Sequence, residues 1–389
     1  MKHLNLSASV YRILLVVLVG LLVLGNLGRI PLNDRVAVYL QDGVLLGMFI
    51  WTLAHHNTAL SVLKKIPWLK PFAVFALCLI VSLGIAFADH SLRQVVIGLA
   101  YATRFFLYAQ LVIYLLIGQS KKYITPAHIF AGLTAIAVSI ACIGLVQYVF
   151  MPDMRFLQFM GYDDHYYRLI STYFDPPFTA QLIIVGLFVA YGLQTTWKKK
   201  LPMLITLFVA LMLTYSRAEY LAFIAGVVVL LFQTGKKMVV GVVGLLIIAV
   251  FLLPRPASEG ARLERTQSII ARATVLRESI QAMDAKTFLV GNGWYLTNAN
   301  RQVRSGIAES HSSSSDNSYF QVLQSVGVFG LAAFLWFLWS VIKMIRHDTV
   351  LLPAMISILV GSLSNNILFF PAIMLVFWAL LSTRKPTVA

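Results

Sequence analysis

Four groups of residues in this sequence have types and spacings that can do chemistry. The first is the run Thr214-Tyr215-Ser216-Arg217, two hydroxyls and a guanidinium set between two apolar stretches. The second is Ala261 to Ala285, where Ile269, Ala273, Leu276, Ile280 and Met283 recur at intervals of four and three, as one stripe of a helix does. Arg262, Arg265 and Arg272 project on that stripe, while Glu264, Gln267, Glu278 and Gln281 take the opposite side. An ordinary surface helix sets its arginines among its glutamates. This one turns three toward whatever the apolar stripe rests on, either the membrane domain or the headgroup layer, an arrangement that suits an anionic group held beneath the helix. The same pattern fits an interfacial helix whose arginines reach lipid phosphates.

The third group is Glu309-Ser310-His311-Ser312-Ser313-Ser314-Ser315-Asp316-Asn317. A serine run is a flexible tether that can order on substrate binding. Asp316 suits a general base toward a hydroxyl, and His311 competes for that role; an Asp just before a helix also serves as an N-cap. The fourth is Asp163-Asp164-His165. Adjacent acids lack the alternating spacing of a sugar-nucleotide metal site, so no metal and no cofactor are expected.

The elements that must position these groups are set by composition. With 59% hydrophobic and 12% charged residues and a mean hydropathy of +0.81, the chain has about half the charge of a soluble domain, and only a bilayer suits it as solvent. Crossing the hydrocarbon core takes about 20 apolar residues. About twelve such stretches occur, near 10–28, 36–55, 70–88, 94–118, 126–150, 178–196, 201–214, 217–233, 236–253, 318–342, 350–363 and 366–382, so the expected fold is all-α and polytopic. The organisation follows: spans one to nine over 1–253 with a polar loop at 151–177, a long loop at 254–317 containing the amphipathic helix, and the last three spans with a tail over 318–389. Loops of that length in a compact membrane protein usually carry function. Cys78 and Cys142 both fall inside apolar spans, which suits packing rather than a disulfide framework.

Orientation follows from lysine. Alternate connections hold Lys64, Lys65 and Lys70, then Lys121 and Lys122, Lys198 to Lys200, Lys236 and Lys237, and Lys343, with Lys2 and Lys385 at the ends. Those connections are expected to be cytoplasmic, with both termini inside a bacterial inner membrane and the two long loops on the periplasmic face. Of the lysines only Lys286 falls outside, where arginine dominates instead. A guanidinium grips phosphate or carboxylate with a planar fork, whereas an ammonium is a hydrated point charge. The net charge of +16 is then mostly a topology signal and does not imply nucleic-acid binding. The apolar run before Thr214 is short, so the arginine turn should lie below the outer surface with Arg217 recessed. Ser362-Leu363-Ser364-Asn365-Asn366 could line the same cavity, and Arg104, inside its own span, is expected to pair with Asp42.

These residues resemble the O-antigen ligase and O-antigen polymerase superfamily of membrane glycosyltransferases over about residues 160 to 335. Arg168-Leu-Ile-Ser-Thr-Tyr-Phe-Asp-Pro-Pro looks like the family's Arg, Gly-Thr-Phe, Asn-Pro segment, and Leu213 to Arg217 looks like its Thr-x-Ser-Arg turn. Arg272 followed by Phe288-Leu-Val-Gly291-Asn-Gly293 looks like its loop arginine and Gly-x-Gly. Asp316-Asn317, nine residues, then Gly327-Val-Phe-Gly330 is similar to the His-Asn, nine residues, Gly-x-x-Gly signature of the ligases, with Asp316 at the ligase histidine position. That Asp-Asn resembles what many capsule, exopolysaccharide and O-antigen polymerases show.

The resemblance implies a GT-C-like, metal-independent, inverting enzyme that takes a glycan from an undecaprenyl diphosphate carrier and passes it to a hydroxyl of an acceptor glycan or glycolipid. Arg217 and Arg272, assisted by Arg168 or Arg265, would stabilise the diphosphate as negative charge grows on its bridging oxygen. Asp316, or in its place His311, would deprotonate or orient the acceptor hydroxyl. A repeat-unit polymerase is the leading reading and a ligase the second. A lipid-linked oligosaccharide flippase is the third, disfavoured because the connection after the sixth span is only Trp197-Lys198-Lys199-Lys200 and the long loop is late and external.

Single cysteines introduced into a variant lacking Cys78 and Cys142 test the topology. Positions 64, 121, 199, 236 and 343 should label only from the cytoplasm, and 164, 272 and 313 only from outside; cytoplasmic labelling at 313 would overturn the orientation.

Overall fold

The computed structural model describes residues 2–33, 36–235, 237–254, 267–296 and 317–384. It is mostly helical, and a helix covers each of the apolar stretches read from the sequence. Among the described residues six helices are long and apolar enough to cross a membrane: Ser7–Gly28, Leu69–Ala86, Leu92–Ser120, Pro126–Phe150, Arg217–Thr234 and Ser318–Ile345. Others are apolar but shorter, among them Leu40–Ala54, Pro176–Gly192, Leu351–Gly361 and Pro371–Ser382. At 11 residues, Leu351–Gly361 is about 16 Å long, roughly half the hydrocarbon thickness. Leu351–Gly361 and Pro371–Ser382 are largely buried, and the irregular backbone joining them is shielded by protein, the condition under which non-helical chain is tolerated at membrane depth.

The local sequence explains where helices begin. Ser91 and Gln94 form a capping box before Leu92, Thr125 caps a helix that opens on Pro126, and Pro176 and Pro177 open another. The all-α expectation needs one correction. The second apolar stretch enters its helix only at Leu40, because Arg29–Asn33 and Val36–Tyr39 pair as an antiparallel hairpin, Arg29 opposite Tyr39 and Ile30 opposite Val38. The β-branched residues Ile30, Val36 and Val38 favour that extended pairing. Asp42 then closes the helix start by accepting from the Tyr39 amide (2.9 Å).

The described connections make contacts in two groups. In one, Ile66, Trp68, Leu116, Met344, Leu381 and Arg384 surround one small cavity. There Gln233 donates to the Arg346 carbonyl (3.0 Å), and Arg384 pairs with Asp348 (3.5 Å). In the other, Leu169 N donates to Leu213 O (2.8 Å), Ser318 N to Ser362 O (2.9 Å) and Asn292 N to Gln324 O (2.9 Å). Lys286 pairs there with Asp89.

One crossing fixes the end of the long loop. Ser318–Ile345 is broken at Gly327 (φ 74°, ψ −176°), a conformation essentially restricted to glycine. Gly291, with φ +80°, lies against the Ser325 and Val326 backbone, and Gly327 lies against Leu289 and Val290, so a Cβ on either would enter the opposite main chain. Ser82 Oγ donates to Ser325 O (2.6 Å) and accepts from Gly293 N (3.1 Å), closing the junction. The glycines of the two sequence motifs are thus partners in one backbone-to-backbone contact.

Gly327→Ala should therefore cost at least about 2 kcal/mol and lower the melting temperature of the purified protein clearly. Gly43→Ala, where nothing lies within 4 Å, should change it little. Equal melting temperatures for the two variants would show that the crossing does not hold the fold.

Candidate active site

The arginine turn is assembled from buried backbone. Thr214, Tyr215 and Ser216 are 0%, 1% and 4% exposed, and Tyr215 is held at φ 51°. Its hydroxyl donates to Pro254 O (2.7 Å). Arg168, itself buried, donates from Nε to Thr214 O (3.1 Å) and from Nη2 to Tyr215 O (3.4 Å). Arg168 thus braces the turn, and half-buried Arg217 follows it as the first residue of the helix Arg217–Thr234. Tyr167, Ser171, Phe174 and Tyr295 at this end also have positive φ. Such strain persists only where the surroundings over-determine the backbone.

Two residues on, Glu219 is fully buried. With the Gln181 amide oriented to satisfy both of its ends, its nitrogen donates to Glu219 Oε2 (2.8 Å) and its oxygen accepts from Ser357 Oγ (3.2 Å). Gly361 makes room for the group: a Cβ there would sit 2.7 Å from the Gln181 amide and 3.0 Å from the Glu219 carboxyl. Helices Pro176–Gly192, Arg217–Thr234 and Leu351–Gly361 are joined at this polar node. Sequence reasoning missed Glu219, although an acid inside an apolar span is itself a site signal.

The helix Ser318–Ile345 begins nearby, and its cap is Asn317, whose Oδ1 accepts from Tyr319 N (2.9 Å) and Phe320 N (3.0 Å). The capping role considered for Asp316 is therefore filled by its neighbour. Asn317 Nδ2 also donates to Leu363 O (2.8 Å). Ser318 Oγ donates to Asn366 Oδ1 (3.1 Å) and accepts from Leu368 N (3.2 Å), and Asn366 Nδ2 donates to the Tyr295 hydroxyl (3.2 Å). The turn Ser362 to Asn366 thus meets the start of this helix. Asp316, His311, Arg262 and Arg265 lie outside the described residues.

Arg272 is carried on the helix Gln267–Gln281, within the stretch read from sequence. Among the described residues of the apolar stripe, Ile280 is 53% exposed, Ala273 is exposed, and Leu276 and Met283 are half-buried. Arg104 pairs with Asp42 (2.9 Å), as its placement suggested. His165 is buried, and its carbonyl accepts from Met154 N (2.8 Å), which closes the loop 151–177 on itself. Outside the bundle Arg155 holds the exposed Asp153 carboxyl down at about 2 through side-chain and backbone hydrogen bonds.

Residues 202–335 match the family model described as O-antigen ligase, Wzy_C. The matched segment is about a third of the chain. The match spans the arginine turn, the helix bearing Arg272, the Gly291–Gly327 crossing and the helix begun at Ser318, and it supports the wider O-antigen ligase and polymerase superfamily. No curated protein compared with the chain matches it. Glu219 and the Asn317 cap lie inside the matched segment, whereas Arg168 braces it from outside and Asn366 meets Tyr295 from beyond it.

Glu219→Gln should keep the node and the melting temperature, while Glu219→Ala should remove one of the two acceptors of the Gln181 amide nitrogen and cost about 2 kcal/mol. If the alanine variant unfolds at the wild-type temperature, the node contributes nothing to the fold.

Proposed function

We propose that the protein is a polysaccharide repeat-unit polymerase of the bacterial inner membrane. On this reading its active site is on the periplasmic face of a bundle of about twelve spans. It transfers glycan from an undecaprenyl diphosphate carrier to an acceptor sugar hydroxyl, without a metal and with inversion. The observation that carries the reading is the buried, braced Thr214–Arg217 turn inside the segment that matches the O-antigen ligase family model. A guanidinium at a helix N-terminus sits at the positive end of the dipole, an unfavourable place for a cation and a favourable one for an anion beside it. A lipid diphosphate is such an anion, and its leaving-group charge increases as the glycosidic bond breaks.

In this mechanism Arg217 and Arg272 hold the diphosphate, and Arg168 fixes the turn that presents Arg217. Arg265 assists from the loop. Asp316 takes the proton of the acceptor hydroxyl as that oxygen attacks the anomeric carbon, and the diphosphate departs on the opposite face. The Asn317 cap supports this role for Asp316, since it relieves Asp316 of a structural duty. A ligase acting on a lipid or other acceptor is the second reading, favoured by the description of the matched family.

Purified protein with lipid-linked repeat units as donor and acceptor provides the test. Arg217→Lys and Arg272→Ala should each lower transfer about 100-fold, the loss of one charge-assisted contact in a dry site. Asp316→Asn should lose about 100-fold or more while still binding donor, and His311→Ala should stay active. Activity above about a tenth of wild type in either arginine variant would remove support for the diphosphate clamp. An active Asp316→Asn beside a dead His311→Ala would turn the reading to the ligases.

A further inference from the structure

At the same end of the bundle, four tyrosines and two arginines from distant parts of the chain form one aromatic patch. Tyr101 and Tyr295 stack with centroids 4.5 Å apart and planes 9° from parallel. The Arg104 guanidinium carbon lies 5.5 Å from the Tyr39 ring centre and 5.7 Å from that of Tyr101. Across the hairpin, Arg29 lies 5.6 Å from the Tyr162 ring centre and donates from Nη1 to the Tyr162 hydroxyl (3.2 Å). All six side chains are half-buried, so each keeps an open edge.

The two cations differ. Arg104 is spent inside the fold, on Asp42 and on the Ala37 carbonyl (2.5 Å). Every described group that acts favourably on the charge of Arg29 is a tyrosine: Tyr162, Tyr39 and Tyr101. The patch therefore offers aromatic faces, phenolic hydroxyls and one guanidinium without a described carboxylate. Lipid chains have no use for the hydroxyls and the charge, and a bare phosphate has no use for the rings. A pyranose with a carboxylate uses all three: its C–H face meets an aromatic ring, its hydroxyls meet phenols, and its acid takes the arginine fork.

We propose that this patch is a glycan subsite holding one acid-bearing sugar residue of the chain undergoing transfer, with its carboxylate on Arg29. The proposal rests on the glycan-transfer reading given above. The patch is tied to the transfer machinery through Tyr295, whose hydroxyl accepts from Asn366, the residue that also holds Ser318 at the start of its helix. An occupied subsite steadies the turn on which that helix begins.

The test uses the full-length protein in detergent, titrated calorimetrically with a hyaluronan hexasaccharide, which carries glucuronates, and with its carboxyl-reduced neutral form. Wild type should bind the acidic probe about tenfold more tightly, the size of one charge-assisted contact. Arg29→Gln should lose that discrimination, Arg29→Lys should keep part of it, and Tyr162→Leu should weaken both probes, each at an unchanged melting temperature. Arg217→Lys should bind both probes as wild type does, since it acts on the diphosphate. A wild-type protein that binds neither probe, or binds both equally, overturns the subsite, and so does an Arg29→Gln variant that still discriminates. Failure of the glycan-transfer reading would show instead as transfer activity retained in Arg217→Lys.

Discussion

A backbone amide or carbonyl inside an apolar bundle has no water to bond, and every turn at that depth must be satisfied by protein. The organisation of this chain follows from that constraint. The turn at Thr214 to Ser216 is closed by a guanidinium from another segment, by a backbone amide bonded just before it at Leu213, and by its own Tyr215 phenol, which reaches out to Pro254. The turn at Ser362 to Asn366 is closed by the cap and first residue of another helix. Each partner that satisfies one turn is part of another, so the irregular segments fix one another and the helices behind them.

Electrostatics is layered on that frame. Cations within the bundle end are tied to carbonyls, carboxylates or phenols, as Arg168, Arg104 and Arg29 show. The buried acid Glu219 is tied to an amide from a second helix. These bonds hold helices at fixed separations in a solvent where apolar surface gives no preference for one neighbour over another, and close packing at Gly226 against the Pro353 carbonyl does the same without charge. A site built on such elements is preorganised, which is what stabilising a transient charge demands.

Much of this was legible in the sequence. Hydropathy located the apolar helices, and Arg104 found the partner its depth called for. The length of individual helices was less legible, because Leu351–Gly361 and Pro371–Ser382 read as apolar whether they cross lipid or are wrapped in protein. The hairpin Arg29 to Tyr39 was hidden inside an apolar run, where β-branched residues suit helix and strand alike. Arg168 looked like a phosphate ligand because charge alone carries no direction; only the fold shows its fork aimed at carbonyls. Glu219 was passed over beside the more conspicuous Arg217, and its partners come from helices remote in sequence.

The long loop is pinned at both ends, at Pro254 by the Tyr215 phenol and at Gly291 to Gly293 by the broken helix and Ser82. A segment anchored twice is a tethered reactant. Its local concentration at the site is set by the span between anchors and reaches about the millimolar range for short tethers. Closing the arc has already cost most of the chain entropy that a free segment would lose on docking, since that cost grows only with the logarithm of length. On the proposed reading, the arginine helix would meet a bound lipid as an intramolecular partner, with individual contacts weak enough to release the carrier after each transfer.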